Sequence, residues 1–172
     1  MTRILLGNLL SLASSVMLWF SSSTQNKRRC YLYQAAECMI LLMSQAAFGK
    51  PSAVIVMFIA LLRNLFIYFG VYNPSLLAIV FVFTGILGTA FNSDGLVGLI
   101  PTITAMIYSI SSYVAKSFVS VKGAMSVNLI TWVIYSFLIY DFAAVVINFT
   151  ALVLNLYSVM CYYKKISDDN EH

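Results

Sequence analysis

Two oppositely charged side chains, Glu37 and Arg63, lie inside apolar segments of this 172-residue sequence. Arg63 interrupts the run AVIVMFIALLRNLFIYF at residues 53–69, and Glu37 is the one acid within such a segment. A charge near the centre of a membrane helix costs about 2.5–3.5 kcal/mol, so such residues usually face the protein interior and find partners. A carboxylate and a guanidinium at similar depth can share two hydrogen bonds. One interpretation is that the pair serves a solute or proton pathway. The other is a structural role, either as an ion pair between the two residues or with Arg63 bound to backbone carbonyls.

The composition indicates that lipid surrounds most of the chain. Hydrophobic residues make up 61% and charged residues 9% of the sequence, whereas soluble domains average about 25% charged residues. Crossing a bilayer core takes roughly 20 mainly apolar residues per helix. Apolar stretches of about this length cover residues 4–20, 31–48, 52–72, 75–91, 96–112, 124–140 and 142–163. The sequence thus predicts an all-α membrane protein with seven transmembrane helices and the lipid bilayer as a partner.

Basic residues near the helix ends predict the orientation. With the N-terminus outside, Arg3 and Lys50 lie at the outer ends, and all other basic residues except the embedded Arg63 lie at the cytoplasmic ends. These are Lys27, Arg28, Arg29, Lys116, Lys122, Lys164 and Lys165. Cytoplasmic loops of membrane proteins carry an excess of Lys and Arg, so we expect the N-terminus outside and the C-terminus in the cytoplasm. This asymmetry accounts for the net charge of +4, and no nucleic-acid partner is expected.

An internal repeat relates two segments of the chain at a constant offset of 91 residues. Residues 53–69 align without a gap on residues 144–160, AVVINFTALVLNLYSVM, and share Asn64 with Asn155 among their identities. The same offset aligns the first apolar stretch with the fifth and the second with the sixth. A single helix between two three-helix units gives both units the same orientation in the membrane.

The repeat predicts the domain organisation. The chain divides into a first three-helix unit (1–74), a linker helix (75–92), a second three-helix unit (93–165) and a polar cytoplasmic tail (166–172). This is a 3+1+3 arrangement of two parallel repeats, with the pseudo-two-fold axis along the membrane normal.

The second unit contains the pattern N-x3-W-x2-Y-x5-D-x6-N, formed by Asn128, Trp132, Tyr135, Asp141 and Asn148. This pattern resembles the repeat of SWEET sugar transporters and of their half-size SemiSWEET relatives, which share the 3+1+3 plan. The resemblance implies that Trp132 and Asn148 line a central solute pocket. An aromatic face can pack against a sugar, and an amide offers donors and acceptors. The alternative is a packing tryptophan and an interhelical asparagine hydrogen bond.

The whole chain is similar to the YgjV-type family of bacterial inner-membrane proteins. Arg63-Asn64 followed by aromatic residues, and the pair Trp132 and Tyr135, carry this similarity. It implies a multi-pass protein of the bacterial inner membrane. Together the two resemblances imply a SWEET-like facilitator or transporter of a small polar solute, which crosses between the units. The alternative is a non-transporting membrane partner or regulatory protein that retains the fold.

The candidate substrate-binding residues all lie inside apolar stretches, and each has a polar or aromatic side chain. They are Trp132, Asn148, Asn128, Glu37, Arg63 and Asn64. The offset places apolar Leu41 opposite Trp132 and Met57 opposite Asn148, so the two units do not contribute equal polar groups. This departure from a SWEET-like pocket weakens the expectation of a sugar and leaves room for a charged solute.

Asp141 lies in the short turn between the sixth and seventh apolar stretches. An aspartate there can accept hydrogen bonds from the first backbone amides of a helix and interact favourably with its dipole. We expect Asp141 to cap the seventh helix, and a role in gating is the alternative.

Catalytic and metal-binding motifs are not evident. Cys30, Cys38 and Cys161 lack CxxC or histidine-paired spacing, and the single histidine is His172. The sequence therefore predicts no enzyme, no metal site and no cofactor. It leaves the solute and the oligomeric state open, a homo-oligomer included.

Overall fold

Seven α-helices make up most of the chain in the computed structural model, which describes residues 2–170. They are α1 (Thr2–Ser23), α2 (Lys27–Ala47), α3 (Pro51–Phe69), α4 (Pro74–Ala90), α5 (Gly95–Val114), α6 (Phe118–Leu138) and α7 (Phe142–Asn170). The predicted all-α class is confirmed. Since α7 extends to Asn170, most of the predicted tail is helical, and residues 171 and 172 lie outside the described part of the chain.

Five helices are long and apolar enough to cross a membrane, namely α1, α3, α5, α6 and α7. Helix α4 is apolar but has 17 residues. Helix α2 is not among the five, because Gln34, Glu37 and Gln45 lower its hydropathy in addition to the charges of Lys27, Arg28 and Arg29. Three of these charges lie in the first turn of α2, so its remaining length is the apolar stretch that the sequence predicts.

Among the helix starts, that of α6 differs most from the prediction. The apolar stretch begins at residue 124, but α6 begins at Phe118 after the N-cap residue Ser117. The Ser117 hydroxyl accepts from the Ser120 N–H, and the Ser120 hydroxyl accepts from the Ser117 N–H, each at 3.1 Å. This reciprocal capping box satisfies two free donors of the first turn. Hydropathy misses these first residues because the signal for a helix start is polar.

Two tight turns of the same geometry connect α2 to α3 and α6 to α7. Gly49 and Tyr140 have φ angles of 69° and 60°, in the left-handed region that favours glycine. The next residues, Lys50 and Asp141, each donate their backbone N–H to the carbonyl five positions earlier, at 3.0 and 2.9 Å. This is the Schellman arrangement, which satisfies carbonyls at a helix C-terminus.

Asp141 caps α7 and also joins it to α1. Its Oδ1 accepts from the Ala144 N–H at 3.0 Å, as the sequence predicts, and its Oδ2 accepts from the Ser11 hydroxyl of α1 at 3.1 Å. The side chain is buried. Burial raises the pKa of the Asp141 carboxyl, and the bonds from Ala144 and Ser11 act in the opposite direction. The net effect is that the folded chain binds this proton more tightly than the unfolded chain.

Substitutions at Asp141 are expected to separate capping from charge. Asp141→Ala should lower the free energy of unfolding by about 1–2 kcal/mol, because a cap is lost. Asp141→Asn should stay within about 0.5 kcal/mol of the wild type, since asparagine is an equally good cap. Because the folded-state pKa is raised, the wild-type contribution should fall as the pH rises above about 4. Detergent-solubilised protein can be unfolded across this pH range, and an alanine variant as stable as the asparagine variant would contradict the capping role.

The principal helix contacts form a closed cycle. Helix α1 contacts α2, α2 contacts α3, α3 contacts α5, α5 contacts α6, α6 contacts α7, and α7 returns to α1. Helix α4 lies outside this cycle against α3 and α5. Its outer face carries exposed apolar side chains, among them Ile79, Phe83 and Ile86. Six helices therefore surround the interior, and α4 covers part of their outer surface.

Basic side chains bind the C-terminal ends of three helices at one end of the bundle, termed the basic end. Lys27 donates to the C-cap carbonyl of α5 at 2.8 Å, and Arg28 donates to a carbonyl in the last turn of α3 at 3.0 Å. Lys122 donates to the carbonyls of Ser21 and Ser22 in the last turn of α1, at 2.9 and 2.6 Å. The last carbonyls of a helix lack intrahelical partners and carry partial negative charge. Three of the basic residues that predict the orientation therefore also bind the C-terminal carbonyls of neighbouring helices.

Candidate functional site

A cavity of about 60 Å³ lies inside the cycle of helices. Helices α1, α2, α3, α5, α6 and α7 all contribute to its wall, and no residue of α4 lines it. One water needs roughly 10–15 Å³ of such volume. The cavity therefore has room for more than one water molecule or for a small solute.

The structure brings all six candidate residues to the wall of this cavity. They are Glu37 on α2, Arg63 and Asn64 on α3, Asn128 and Trp132 on α6, and Asn148 on α7. Leu41 and Met57, which the repeat places opposite Trp132 and Asn148, also line it. The apolar part of the wall thus comes from the positions where the sequence departs from the SWEET-like pattern.

Further polar groups on α2 line the cavity and were not predicted. Gln34 and Gln45 share one helix face with Glu37 and Leu41. Their successive spacings of three, four and four residues are those of a single helical face. This spacing is visible in the sequence and is the signal that could have identified both glutamines.

The predicted ion pair between Glu37 and Arg63 is wrong. Among the described residues, the salt bridge within 4 Å joins Lys50 to Asp94, with Nζ and Oδ1 2.7 Å apart. The prediction rested on similar depth along the membrane normal. Depth does not fix the direction in which a side chain leaves its helix, and neutral groups lie closer to the Arg63 guanidinium.

Neutral acceptors and an aromatic ring surround Arg63, which is buried. Its Nε and Nη2 donate to Asn64 Oδ1 at 3.2 and 3.1 Å. Its Nη1 donates to Ser109 Oγ at 3.3 Å and to the Ala105 carbonyl at 3.5 Å. The guanidinium carbon lies 4.7 Å from the centre of the Tyr108 ring, within cation–π range. The carbonyl-bound alternative for Arg63 is therefore closer to the observed geometry than an ion pair.

In contrast to an open polar group, the Gln34 side chain has protein partners on both its oxygen and its nitrogen. Its Oε1 accepts from the Tyr108 hydroxyl at 3.0 Å. Its Nε2 lies 3.5 Å from Cys30 Sγ and 3.7 Å from Met125 Sδ, two weak acceptors. The amide is thus held from three sides and offers little to a ligand.

Other polar groups of the wall lack protein partners. Within residues 2–170, the carboxylate of Glu37 and the side chains of Asn128 and Trp132 form no hydrogen bonds. Gln45 is 3% exposed, and its Oε1 is also without a partner. Asn148 donates Nδ2 to a carbonyl of its own helix at 2.8 Å, which leaves its Oδ1 free. Gln45 Oε1 is buried, and a buried polar group without a partner is costly. The other four residues are half-buried and line the cavity, so their free groups are open to a bound molecule.

The comparison with known families decides the family. The model of a family described as a bacterial inner membrane protein, Imp-YgjV, matches residues 5–166. The chain belongs to the Imp-YgjV family. The predicted family is thus confirmed, and the chain is a multi-pass helical protein of the bacterial inner membrane. No curated protein and no solved structure matches the chain. The similarity to SWEET transporters stays a prediction.

The part of the chain that matches the Imp-YgjV family contains the entire wall of the cavity, from Ser11 to Asn148. Within the described residues, no three histidine, cysteine, aspartate or glutamate side chains come together in the way that metal ligands do. The chemistry of the wall is that of amides, hydroxyls, one tryptophan, one carboxylate and one guanidinium.

Proposed function

We propose that this Imp-YgjV protein is a facilitator or transporter that moves a small polar solute across the inner membrane through the central cavity. The observation that carries the proposal is a cavity lined by six helices. Polar atoms that have no hydrogen-bond partner among the described residues reach it from Glu37, Gln45, Asn128, Trp132 and Asn148. Polar and ionisable residues inside membrane proteins usually face a cavity and mark a solute or ion pathway. A purely structural core would pair these groups with one another, as it pairs Gln34.

Matching helix ends support a path between two repeated units. Helix α2 spans Lys27–Ala47 and α6 spans Phe118–Leu138, so both ends are related by the offset of 91 residues. The starts of α3 and α7, at Pro51 and Phe142, have the same offset. The N-cap side chains of α2 and α6 each accept from the third backbone N–H of their helix. The offset therefore relates hydrogen-bonding geometry as well as residue types.

The position of the cavity relative to this repeat gives further support. Seven pairs of its wall residues are related by the same offset. They are Ser14/Ala105, Gln34/Met125, Glu37/Asn128, Cys38/Leu129, Leu41/Trp132, Gln45/Ser136 and Met57/Asn148. A cavity lined by equivalent positions lies near the axis that relates the two units. The proposed path thus runs between the unit of residues 1–74 and the unit of residues 93–165, with the linker helix outside.

The orientation belongs to the same proposal, with the basic end in the cytoplasm. Lys27, Arg28 and Lys122 bind helix C-termini, but Arg29 and Lys116 at this end are exposed. At the opposite end Lys50 is paired with Asp94. Arg3 is the other basic residue at that end, so lysine and arginine remain in excess at the basic end, which supports a cytoplasmic location for it.

Uptake into proteoliposomes is the direct test. Purified protein should accumulate at least one member of a panel of small neutral, anionic and cationic solutes above the level of empty liposomes. Asn148→Ala should lower this uptake at least about tenfold, because it removes a wall group worth a hydrogen bond of about 1.5 kcal/mol or more with a charged or polar solute. Phe149→Ala is the matched control, since Phe149 follows on the same helix and is 59% exposed toward lipid.

Two results would contradict the proposal. One is a panel in which no solute enters faster than into empty liposomes, which would favour the non-transporting interpretation. The other is equal uptake by the Asn148→Ala and Phe149→Ala variants, which would show that the cavity is not the path.

A further inference from the structure

We infer that the ligand of this cavity is a small organic cation rich in N–H donors, such as a primary ammonium or a guanidinium ion, bound by the Glu37 carboxylate. This inference deepens the proposed function, because it names the chemical class of the solute. It rests on the Glu37 carboxylate, which has no salt-bridge partner among the described residues, on the aromatic face of Trp132 and on the size of the cavity.

The wall carries free donors as well as free acceptors, but its one charged group without a hydrogen-bond partner among the described residues, the Glu37 carboxylate, is an acceptor. The free N–H donors of Asn128 and Trp132 belong to neutral side chains. The two carboxylate oxygens of Glu37, the Oε1 of Gln45 and the Oδ1 of Asn148 accept nothing from the described residues. Gln45 is 3% exposed, so its oxygen can gain a partner only from something inside the protein. A primary ammonium group carries three donors and no acceptor, as in the lysine side chain. A ligand of this kind complements the unpartnered groups better than a carboxylate does.

The positive charge of Arg63 does not neutralise Glu37 through a direct contact. Arg63 lies beyond salt-bridge distance from any described acid. Its hydrogen bonds go to Asn64, Ser109 and Ala105, and Tyr108 covers one face of the guanidinium. The carboxylate therefore has no direct counter-ion, and a cationic ligand would supply one. A charge inside a membrane protein is usually paired, so the lack of a salt-bridge partner for Glu37 among the described residues points to a charged ligand.

Trp132 adds a second feature that suits a cation. The indole is partly exposed at the cavity wall, and it is held edge-to-face against Tyr135 with ring centres 5.4 Å apart. A cation within about 6 Å of a tryptophan face is attracted by the electron-rich face of the ring. Trp132 and Glu37 thus offer the two kinds of contact that bind organic ammonium ions.

The size of the cavity limits the ligand. Its volume is about 60 Å³, whereas a cavity of about 150 Å³ is known to hold benzene. By that scale the ligand has about two to four non-hydrogen atoms, which includes methylammonium and guanidinium, whereas a monosaccharide has about twelve. A solute of sugar size would require the wall to move apart.

Fluorescence of Trp132 provides a binding assay that does not depend on transport. The chain has two tryptophans, and Trp19 is 37% exposed on the outer surface of α1. In a Trp19→Phe background, Trp132 is the sole indole reporter. Methylammonium chloride should change its emission saturably, beyond any change caused by sodium chloride at the same concentration. Acetamide and acetate, with four non-hydrogen atoms each like guanidinium, serve as neutral and anionic probes within the size limit, and glycine, with five, serves as a slightly larger zwitterionic probe.

A charge-relocation series tests the role of Glu37. Glu37→Gln keeps the shape of the side chain and removes its charge, so methylammonium affinity should fall at least tenfold. The repeat places Asn128 at the position equivalent to Glu37, and both line the cavity. Adding Asn128→Asp to Glu37→Gln restores a carboxylate on the facing unit and should recover cation binding. This rescue keeps the inference testable if Glu37→Gln alone is poorly folded.

The outcomes separate the ligand class from transport. Acetamide, acetate or glycine binding as tightly as methylammonium, or a Glu37→Gln variant with unchanged affinity, would overturn the inference. Uptake of a neutral solute without any cation binding would do the same and leave the proposed function standing. Saturable methylammonium binding that Glu37→Gln removes, with no uptake of any solute, would support the cation site and overturn transport.

Discussion

Replacing Lys122 with methionine is expected to lower the free energy of unfolding by about 3 kcal/mol, because two charge-assisted hydrogen bonds, each worth about 1.5–3 kcal/mol, are lost. Lys122 is 1% exposed, and its Nζ donates to the carbonyls of Ser21 and Ser22. Methionine is unbranched and fills irregular space well, so packing should change little. The loss should therefore report on the carbonyls of α1 that are left without a partner.

The local surroundings of Lys122 make this effect large. Ser21 and Ser22 are both buried, so water cannot take over the role of the ammonium group. The ring of Phe118 lies 5.5 Å from Nζ and adds a cation–π contact. The positive charge also offsets the partial negative charge at the C-terminus of α1. A neutral side chain provides none of these three contributions.

The measurement is the midpoint of detergent- or heat-induced unfolding in micelles. Lys116→Met is the matched control, because Lys116 is exposed near the same end of the bundle, and its loss should cost less than about 0.5 kcal/mol, as is usual for surface substitutions. A Lys122→Met variant within that same limit would show that the carbonyls of α1 find other partners.

The role of Lys122 also shows what the sequence could not reveal. The residue was identified only as part of the basic excess that predicts orientation. Its partners are 100 and 101 positions away in the chain, so no local pattern indicates them. Apolar periodicity and length predict that a helix exists, but the pairing of a buried charge depends on which helix ends meet in the bundle.

The helices themselves were largely predictable because lipid imposes length and apolarity on each of them. The same rule fails where function or capping requires polar residues. Helix α2 has a charged first turn and Glu37, and it falls below the hydropathy of the other spans. The polar start of α6 at Phe118 was missed for the same reason.

The sequence predicted six residues of the cavity wall, but it did not predict Gln34 and Gln45 or the pairing of the polar groups. The repeat and the resemblance identified Trp132 and Asn148, and embedded charge identified Glu37 and Arg63. All four line the cavity. The error was to pair the two charges, since distance along the membrane normal was the only coordinate that the sequence provided. The contacts of Arg63 come from α5, whose position relative to α3 is a property of the fold.

A covalent link between positions 50 and 94 is expected to stop transport. Lys50 and Asp94 lie at the start of α3 and just before α5, so their salt bridge joins the two proposed units at the end opposite to the basic end. If the solute leaves the cavity at this end by passing between the units, the units must separate there. A salt bridge permits this separation, and a covalent link does not.

The strength of the natural contact determines how the experiment should be designed. The two side chains are 25% and 29% exposed, and ion pairs with such access to solvent contribute about 0–1 kcal/mol. Lys50→Ala should therefore change stability by less than about 1 kcal/mol and leave uptake possible. The same exposure lets a thiol reagent reach cysteines placed at these positions. The contact between Ser11 and Asp141, which also joins the two proposed units, is buried and would not be reached.

The double variant Lys50→Cys/Asp94→Cys can be linked with a bis-maleimide that contains a cleavable disulfide. It is made in a Cys161→Ser background, because Cys161 is partly exposed and would react with the reagent. Cys30 and Cys38 are buried and can stay. Linking should lower uptake into proteoliposomes at least tenfold, and reduction of the linker should restore it. Each single-cysteine variant treated with the same reagent is the control and should retain its uptake. Undiminished transport by the linked protein would mean that the units do not part at α3 and α5. If the single-cysteine variants lose as much uptake as the linked protein, the reagent itself inhibits transport, and the result gives no support for separation of the units.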